Sequence, residues 1–154
     1  MIQYAKGNLI KEVKQGVMLH QVNCFGIFGA GFALQLKNEY PRNYDVYRSH
    51  CNYPNQEPED LLGTTLCTSF NNHDRLIIIN AFGQLGTGGR KATSYDALDT
   101  IFHQMYSNMN NRAMFGHVHM PMIGSGLGGG DWNVIEKIIE SHLPEECDVT
   151  VWKL

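Results

Sequence analysis

The chain has few cysteines, and none in an arrangement that chemistry could use. Cys24, Cys51, Cys67 and Cys147 form no C-x-x-C pair and no zinc-ligand spacing, which excludes a zinc ribbon and a dithiol redox site. They read as reduced thiols of a cytoplasmic protein. Apolar runs are short: none approaches the ~18 residues of a membrane-spanning helix. The opening Met1-Ile2-Gln3-Tyr4-Ala5-Lys6-Gly7 lacks the apolar core of a secretion signal. A basic excess is also missing. A net charge of −3 argues against a general nucleic-acid binder, although a local basic patch stays open. No serine sits in a nucleophile elbow, and no two carboxylates have a placeable acid–base spacing. Gly86-Thr87-Gly88-Gly89-Arg90-Lys91 lacks the Gly-Lys-Ser/Thr ending of a P-loop, so a Walker hydrolase is set aside. There is no internal repeat, low-complexity tract or linker, and 154 residues suit one domain, 1–154.

What the chain does have is glycine where strands give way to helices. The apolar run Val17–Val22 reads as a buried strand and breaks into Gly26, Gly29 and Gly31. A helix then spans roughly Ala30 to Tyr40, with Ala33, Leu36 and Tyr40 at helical spacing and Pro41 as its stop. Such a loop lets backbone approach a ligand, and the free amides of the following helix suit a phosphate. A second helix starts near Pro41 with Tyr44, Tyr47 and Cys51 on one face. Residues 2–5 are a short strand followed by a turn over 6–9, and 52–62 is a proline-bearing loop. Thr64–Phe70 and Arg75–Phe82 are strands joined at the Asn71-Asn72-His73-Asp74 cluster, a hairpin candidate.

A second glycine loop covers Gly83 to Lys91, and Thr93, three residues before Asp96, signals a helix start. The buried face of that helix is Tyr95, Leu98, Phe102 and Met105, and 107–116 is a polar connector. Val118–Ile123 is a buried strand opening into a third glycine loop, Gly124 to Gly130. Asp131 caps the next helix, with Val134, Ile135, Ile138, Ile139 and Leu143 inward, and 148–154 is the last strand. Strands alternating with helices define an α/β layered domain with a largely parallel central sheet.

Two glycine loops, after residue 22 and after residue 123, share one grammar. Side by side at the carboxyl ends of strands they would grip a diphosphate through backbone amides. Residues 124–129 match G-x-G-x-x-G, but only one strand follows, so a dinucleotide-binding half cannot be completed. His20 lies where it could move a proton at neutral pH, against the plainer reading of a satisfied core histidine. Asn23 offers donor and acceptor to a sugar hydroxyl, or simply forms a turn. Trp152 packs in the core or stacks on a base. His117 and His119 share a strand face without an acidic or cysteine partner, so no metal is expected. Arg90 and Lys91 read as a solvated loop within reach of a phosphate.

Several of these stretches together resemble a macro domain, the ADP-ribose-binding fold, over nearly the full length. They are Tyr4-Ala5-Lys6-Gly7-Asn8-Leu9; Asn23-Cys24-Phe25-Gly26 with Gly29-Ala30-Gly31-Phe32-Ala33; Pro121-Met122-Ile123-Gly124-Ser125-Gly126-Leu127-Gly128 with Trp132; and Val149 to Leu154. Within that family the chain looks most similar to the branch holding the yeast ADP-ribose 1″-phosphate phosphatase, the terminal ADP-ribose glycohydrolase and the antitoxins that free thymidine of ADP-ribose. The resemblance implies a three-layer α/β/α sandwich around a mixed, mostly parallel six-stranded sheet. It implies Asn8 and Leu9 near the adenine, with Trp152 stacking there. Ile123, Gly124, Ser125, Gly126, Leu127 and Gly128 would hold the diphosphate from one side, and Gly29, Ala30, Gly31, Phe32 and Ala33 from the other. Asn23 would orient the distal ribose. His20 matches the histidine of the yeast phosphatase and would be the proton-transfer group or nucleophile. The glycohydrolases resemble this chain less at two places. Gly83-Gln84 stands where they use a lysine, and Gly128 where the human one has an aspartate, leaving Lys91 or Asp131 as their substitutes. The implied activity is phosphate removal from ADP-ribose 1″-phosphate without cofactor; the alternatives are an ADP-ribosyl glycohydrolase acting on protein or nucleic acid, and a non-catalytic reader.

Overall fold

The computed structural model describes residues 1–71, 75–87 and 92–154. The expected turn over Asn72-His73-Asp74 and the Gly88–Lys91 end of the second loop lie outside them. Among the described residues, the strands are β1 (Ile2–Lys6), β2 (Gly16–Val22), β3 (Thr65–Asn71), β4 (Arg75–Phe82), β5 (His117–Pro121) and β6 (Asp148–Lys153). They form one sheet in the order β1-β6-β5-β2-β4-β3. Every pairing is parallel except β3 with β4. The helices are α1 (Leu9–Glu12), α2 (Gly31–Glu39), α3 (Pro41–Cys51), α4 (Pro58–Leu61), α5 (Tyr95–Met105), α6 (Met109–Met114) and α7 (Trp132–His142).

Strand alternation sorts the side chains into three layers. Val17 and Leu19 of β2, Ile77 and Ile79 of β4, and Val118 and Met120 of β5 point to one face, where Leu98, Ile101 and Phe102 of α5 and Ile135 and Ile139 of α7 cover them. Met18, Leu76 and Ile78 point the other way against Leu9 and Ile10 of α1 and Leu36 of α2. Val22 and Phe82 continue that second face against Tyr47 and Cys51 of α3. This is the α/β/α sandwich with a mixed, mostly parallel sheet.

Local departures have local causes. Leu9 begins α1 instead of ending a turn, because the Asn8 side chain accepts from the Lys11 amide and caps it. The short α4 and α6 occupy the stretches expected as loop 52–62 and connector 107–116. Ser94, not Thr93, caps α5 by accepting from the Ala97 amide. Tyr95 and Val134, expected inward, are exposed. Strand β5 stops at Pro121, two residues early, as Ile123 turns its amide back to the Pro121 carbonyl.

The sheet is uneven where it matters. β2 pairs with β4 at every residue from Gly16 to Val22. It pairs with β5 only at Val17↔Val118 and Met18↔His119. Beyond that point Pro121 has no N–H to offer a ladder, and the carboxyl ends of β2 and β5 part.

Phe102 is fully buried between α5 and the sheet. Phe102→Ala is expected to cost roughly 3–5 kcal/mol of unfolding free energy, read by urea denaturation with the slope unchanged.

Candidate functional site

The parting of β2 and β5 opens a cavity of about 410 Å³. It lies at the switch point of the sheet, where the chain has run to the β4 side and then crosses to β5, the usual place for a ligand in open α/β folds. One wall is Gly29 to Ala33, entering α2; the other is Ile123, Gly124, Gly126, Leu127 and Gly128; His20 and Asn23 complete it from β2. Among the described residues, no lining side chain carries a formal charge at neutral pH.

Both walls present backbone amides. Ala30 precedes α2 in extended conformation, no side chain among the described residues caps the helix, and no acid sits in its first turn. The first intrahelical bond is Leu34 N–H to the Ala30 carbonyl at 3.3 Å, so the amides of Gly31, Phe32 and Ala33 stand free at the positive end of the helix dipole. Opposite them, the amides of Gly126, Leu127 and Gly128 have no backbone acceptor among the described residues. Gly31 and Gly124 take φ +60° and +72°, which side-chain-bearing residues resist.

Gln21 ties β2 to the Gly124 wall through Thr93, and the sequence reading missed it. Its amide nitrogen donates to Gln84 Oε1 at 2.9 Å and to Thr93 Oγ1 at 3.0 Å. Thr93 Oγ1 in turn donates to the Gly124 carbonyl at 2.8 Å, and the Thr93 amide to the Gly128 carbonyl at 3.0 Å. Glycine is required around this junction. A Cβ at Gly83 would meet Gln21 Oε1 at 2.6 Å, and one at Gly128 would meet Thr93 Oγ1 at 2.4 Å. Gln21 alternates with Val17 and Leu19, so a polar side chain on a buried face was its signal.

His20 is 2 % exposed, with Phe28 edge-on at 5.1 Å and Phe32 at 5.8 Å between ring centres. Its Nε2 contacts Asn80 Oδ1 at 2.7 Å, while Nδ1 has no partner. Burial lowers its pKa to about 4 against the partial restoring effect of Asn80, so the ring is neutral at pH 7. Asn23 takes its plainer role in full. Its Oδ1 accepts from the Phe25 amide at 2.9 Å and Tyr47 Oη at 2.9 Å, and its Nδ2 donates to the Ile27 carbonyl at 2.7 Å. One N–H of that amide remains for the cavity. Cys24 donates to the Gln84 carbonyl at 3.4 Å, and burial first, with Cys51 and Glu59 adding to it, pushes its thiol up to about 12. It is no nucleophile at neutral pH.

Four expected contacts lie off the cavity wall. Asn8 is committed to capping α1, and Leu9 is buried in the α1–α2 cluster. Trp152 packs on that cluster and donates to His119 Nδ1 at 3.1 Å. Ser125 turns back to the Met122 carbonyl at 2.8 Å. Asp131 accepts from the Asn133 amide at the start of α7. No group of three or more His, Cys, Asp or Glu that could hold a metal exists among the described residues. No described helix is long and apolar enough to cross a membrane.

A parallel sheet parting at its switch point, with two amide-lined glycine turns facing each other, defines an anion-binding α/β module. The chain belongs to the macro domain family, whose signature covers residues 19–139. It is 32% identical to a Debaryomyces hansenii protein named ADP-ribose 1″-phosphate phosphatase, over 90% of this chain and 92% of that one. It is 28% identical to a DNA ADP-ribosyl glycohydrolase of Mycobacterium tuberculosis, over 97% of this chain but 40% of that one. Among solved structures, a Bacteroides thetaiotaomicron protein of unknown function superposes with TM-score 0.83 at 31% identity, covering 100% of this chain and 98% of that one.

Two outcomes are expected. Gly128→Ala displaces Thr93 or the Gly124 loop and is expected to weaken anion binding at least about tenfold, read by calorimetry with ADP; unchanged affinity would mean that the junction has slack. The second concerns pH. The unfolded chain binds a proton at His20 near pH 6.5 and the folded chain only near pH 4. The stability linked to a neutral His20 is therefore complete above pH 6.5 and is lost as pH falls toward 4, roughly 3 kcal/mol in all. Urea unfolding across that window is expected to show this loss in the native chain and not in His20→Phe.

Proposed function

We propose that this macro domain binds ADP-ribose or a derivative in the β2–β5 cavity and removes the terminal phosphate of ADP-ribose 1″-phosphate. The observation that carries the binding half is the pair of facing amide rows, Gly31–Ala33 and Gly126–Gly128, spaced around an uncharged cavity. Such a cradle suits a diphosphate, whose charge is met by backbone dipoles, with no lysine or arginine in the lining among the described residues. The phosphatase half leans on the end-to-end likeness to yeast phosphatases and on a neutral imidazole at the wall.

In this reading His20 takes the proton of a water that attacks the terminal phosphorus, while the P–O bond to the distal sugar breaks and the departing sugar oxygen takes that proton from the imidazolium, which restores the neutral ring. Free amides of the loops stabilise the charge that develops. Asn23 offers its remaining N–H to the distal ribose. Asn8, Leu9 and Trp152 support the adenine end from behind the wall, and Ser125 holds the turn that aims its neighbours' amides. Proton transfer of this kind is worth roughly 100- to 10,000-fold in rate.

The glycohydrolase reading is favoured by the likeness to the Mycobacterium tuberculosis protein. Against it, Gly83 and Gly128 pack on Gln21 and Thr93, and Asp131 is used as a helix cap.

Calorimetry with ADP-ribose, followed by phosphate release from ADP-ribose 1″-phosphate, tests the proposal. Micromolar binding, roughly −8 kcal/mol, with phosphate release that falls more than about tenfold in His20→Ala is expected. Binding without release would leave an ADP-ribose reader, and no binding would sink the reading.

A further inference from the structure

We propose that Asn80 and Asn43 are positioning residues that lock His20 in a single neutral tautomer, with Nδ1 held as a bare acceptor for a hydroxyl of the ligand. This rests on the functional reading above for the identity of the ligand, but not for the tautomer. Asn80 is fully buried within the apolar run of β4, and Asn43 is fully buried on α3. Their side-chain amides face each other: Asn80 Nδ2 donates to Asn43 Oδ1 at 2.9 Å, and Asn43 Nδ2 donates to Asn80 Oδ1 at 3.1 Å.

The backbone fixes which way round this pair sits. Asn80 Nδ2 also donates to the Leu66 carbonyl of β3 at 3.0 Å. A carbonyl can only accept, so the nitrogen of Asn80 must face Leu66 and its oxygen must face His20. That oxygen lies 2.7 Å from His20 Nε2. Two acceptors cannot share a hydrogen bond, so Nε2 carries the proton and Nδ1 keeps its lone pair. Nδ1 is buried and unpartnered on a ring that lines the cavity. An orphan buried acceptor is costly unless a ligand or water supplies a donor.

The consequence is chemical selectivity. A lone pair at Nδ1 attracts a hydroxyl or a water and repels a phosphate oxygen. The groups against the ring are Phe28 and Phe32 from the first loop and α2, and Asn80 from β4, with Asn43 of α3 behind it; none of them ionises. No carboxylate among the described residues contributes to His20's titration, which burial and Asn80 alone set. His20 therefore works as an acceptor, and the diphosphate is left to the amides.

Nitrogen NMR of the histidine-labelled chain tests this without any substitution. His20 is expected to show a proton on Nε2 and a lone pair on Nδ1 at pH 7. ADP-ribose is expected to move the Nδ1 resonance and leave Nε2–H in place. Asn80→Asp puts a carboxylate against Nε2–H and is expected to raise the His20 midpoint by about 2.5 units, to its ordinary value or above. In that variant ADP-ribose binding is expected to weaken at least about tenfold from pH 8 to pH 5.5, because a protonated ring has no lone pair to offer. Asn80→Leu, which removes the acceptor at Nε2, is expected to let the Nδ1–H tautomer appear. A wild-type ring protonated on Nδ1, or an Nδ1 resonance that does not respond while calorimetry records binding, would overturn the proposal. If ADP-ribose gives no heat at all, the tautomer and the Asn80→Asp shift still decide the lock, and the failure falls on the ligand assignment.

Discussion

The site exists because β2 and β5 are neighbours that stop pairing early. Their ladder holds at Val17↔Val118 and Met18↔His119 and no further, while β2 remains zipped to β4 along its whole length. One strand is therefore anchored on one side and free on the other. The free edge of a sheet interior would normally have to be covered. Here Gln21 spans the gap with side-chain hydrogen bonds to Gln84 and Thr93, and Thr93 ties on the Gly124 loop. The glycines at 83 and 128 follow from that junction, since a Cβ at either would lie within 3 Å of it. The loops are glycine-rich partly so that backbone can approach a ligand, and partly so that the Gly124 wall can be fastened to β2.

The electrostatics follow from the same geometry. The lining carries no formal charge at neutral pH among the described residues. Its polarity comes from the free amides at the start of α2 and along Gly126–Gly128. Fixed dipoles do not reorganise when an anion arrives, and they are least screened where water is excluded. The long side chain that most often reads an anion, arginine or lysine, is replaced by backbone whose direction the fold dictates. Leu127 completes the enclosure: it is 71 % exposed, yet a Cβ built on Gly31 across the cavity would lie 3.4 Å from its methyl group.

Much of this was legible in the sequence because it depends on local patterns. Apolar runs bounded by glycine located β2, β4 and β5, and the shared grammar of two loops placed both walls. The family resemblance supplied the mixed six-stranded sheet and its three layers, which composition could not; the strand order comes from the structure. What escaped notice was what depends on tertiary contact. Gln21, Thr93 and Asn80 are polar residues whose meaning lies in partners 14 to 72 residues away along the chain. Thr93 looked like a helix cap by spacing, but the cavity claimed its hydroxyl and left the cap to Ser94. Asn8 starts a helix and Trp152 packs on a core cluster, roles that the resemblance to the family did not announce.

The buried polar groups behind His20 form a hydrogen-bonded cluster inside an otherwise apolar stretch of the sheet. Leu76 to Phe82 would be wholly apolar without Asn80. A buried charge pair in its place would bring a larger desolvation penalty, and a carboxylate would draw a proton onto the imidazole. Two neutral amides satisfy each other, use one strand carbonyl as a fixed reference, and leave only one acceptor unpaired in the group, on the side that faces the ligand. The polar cluster is therefore consistent with a site in which the imidazole must stay neutral while the loop amides alone meet the negative charge.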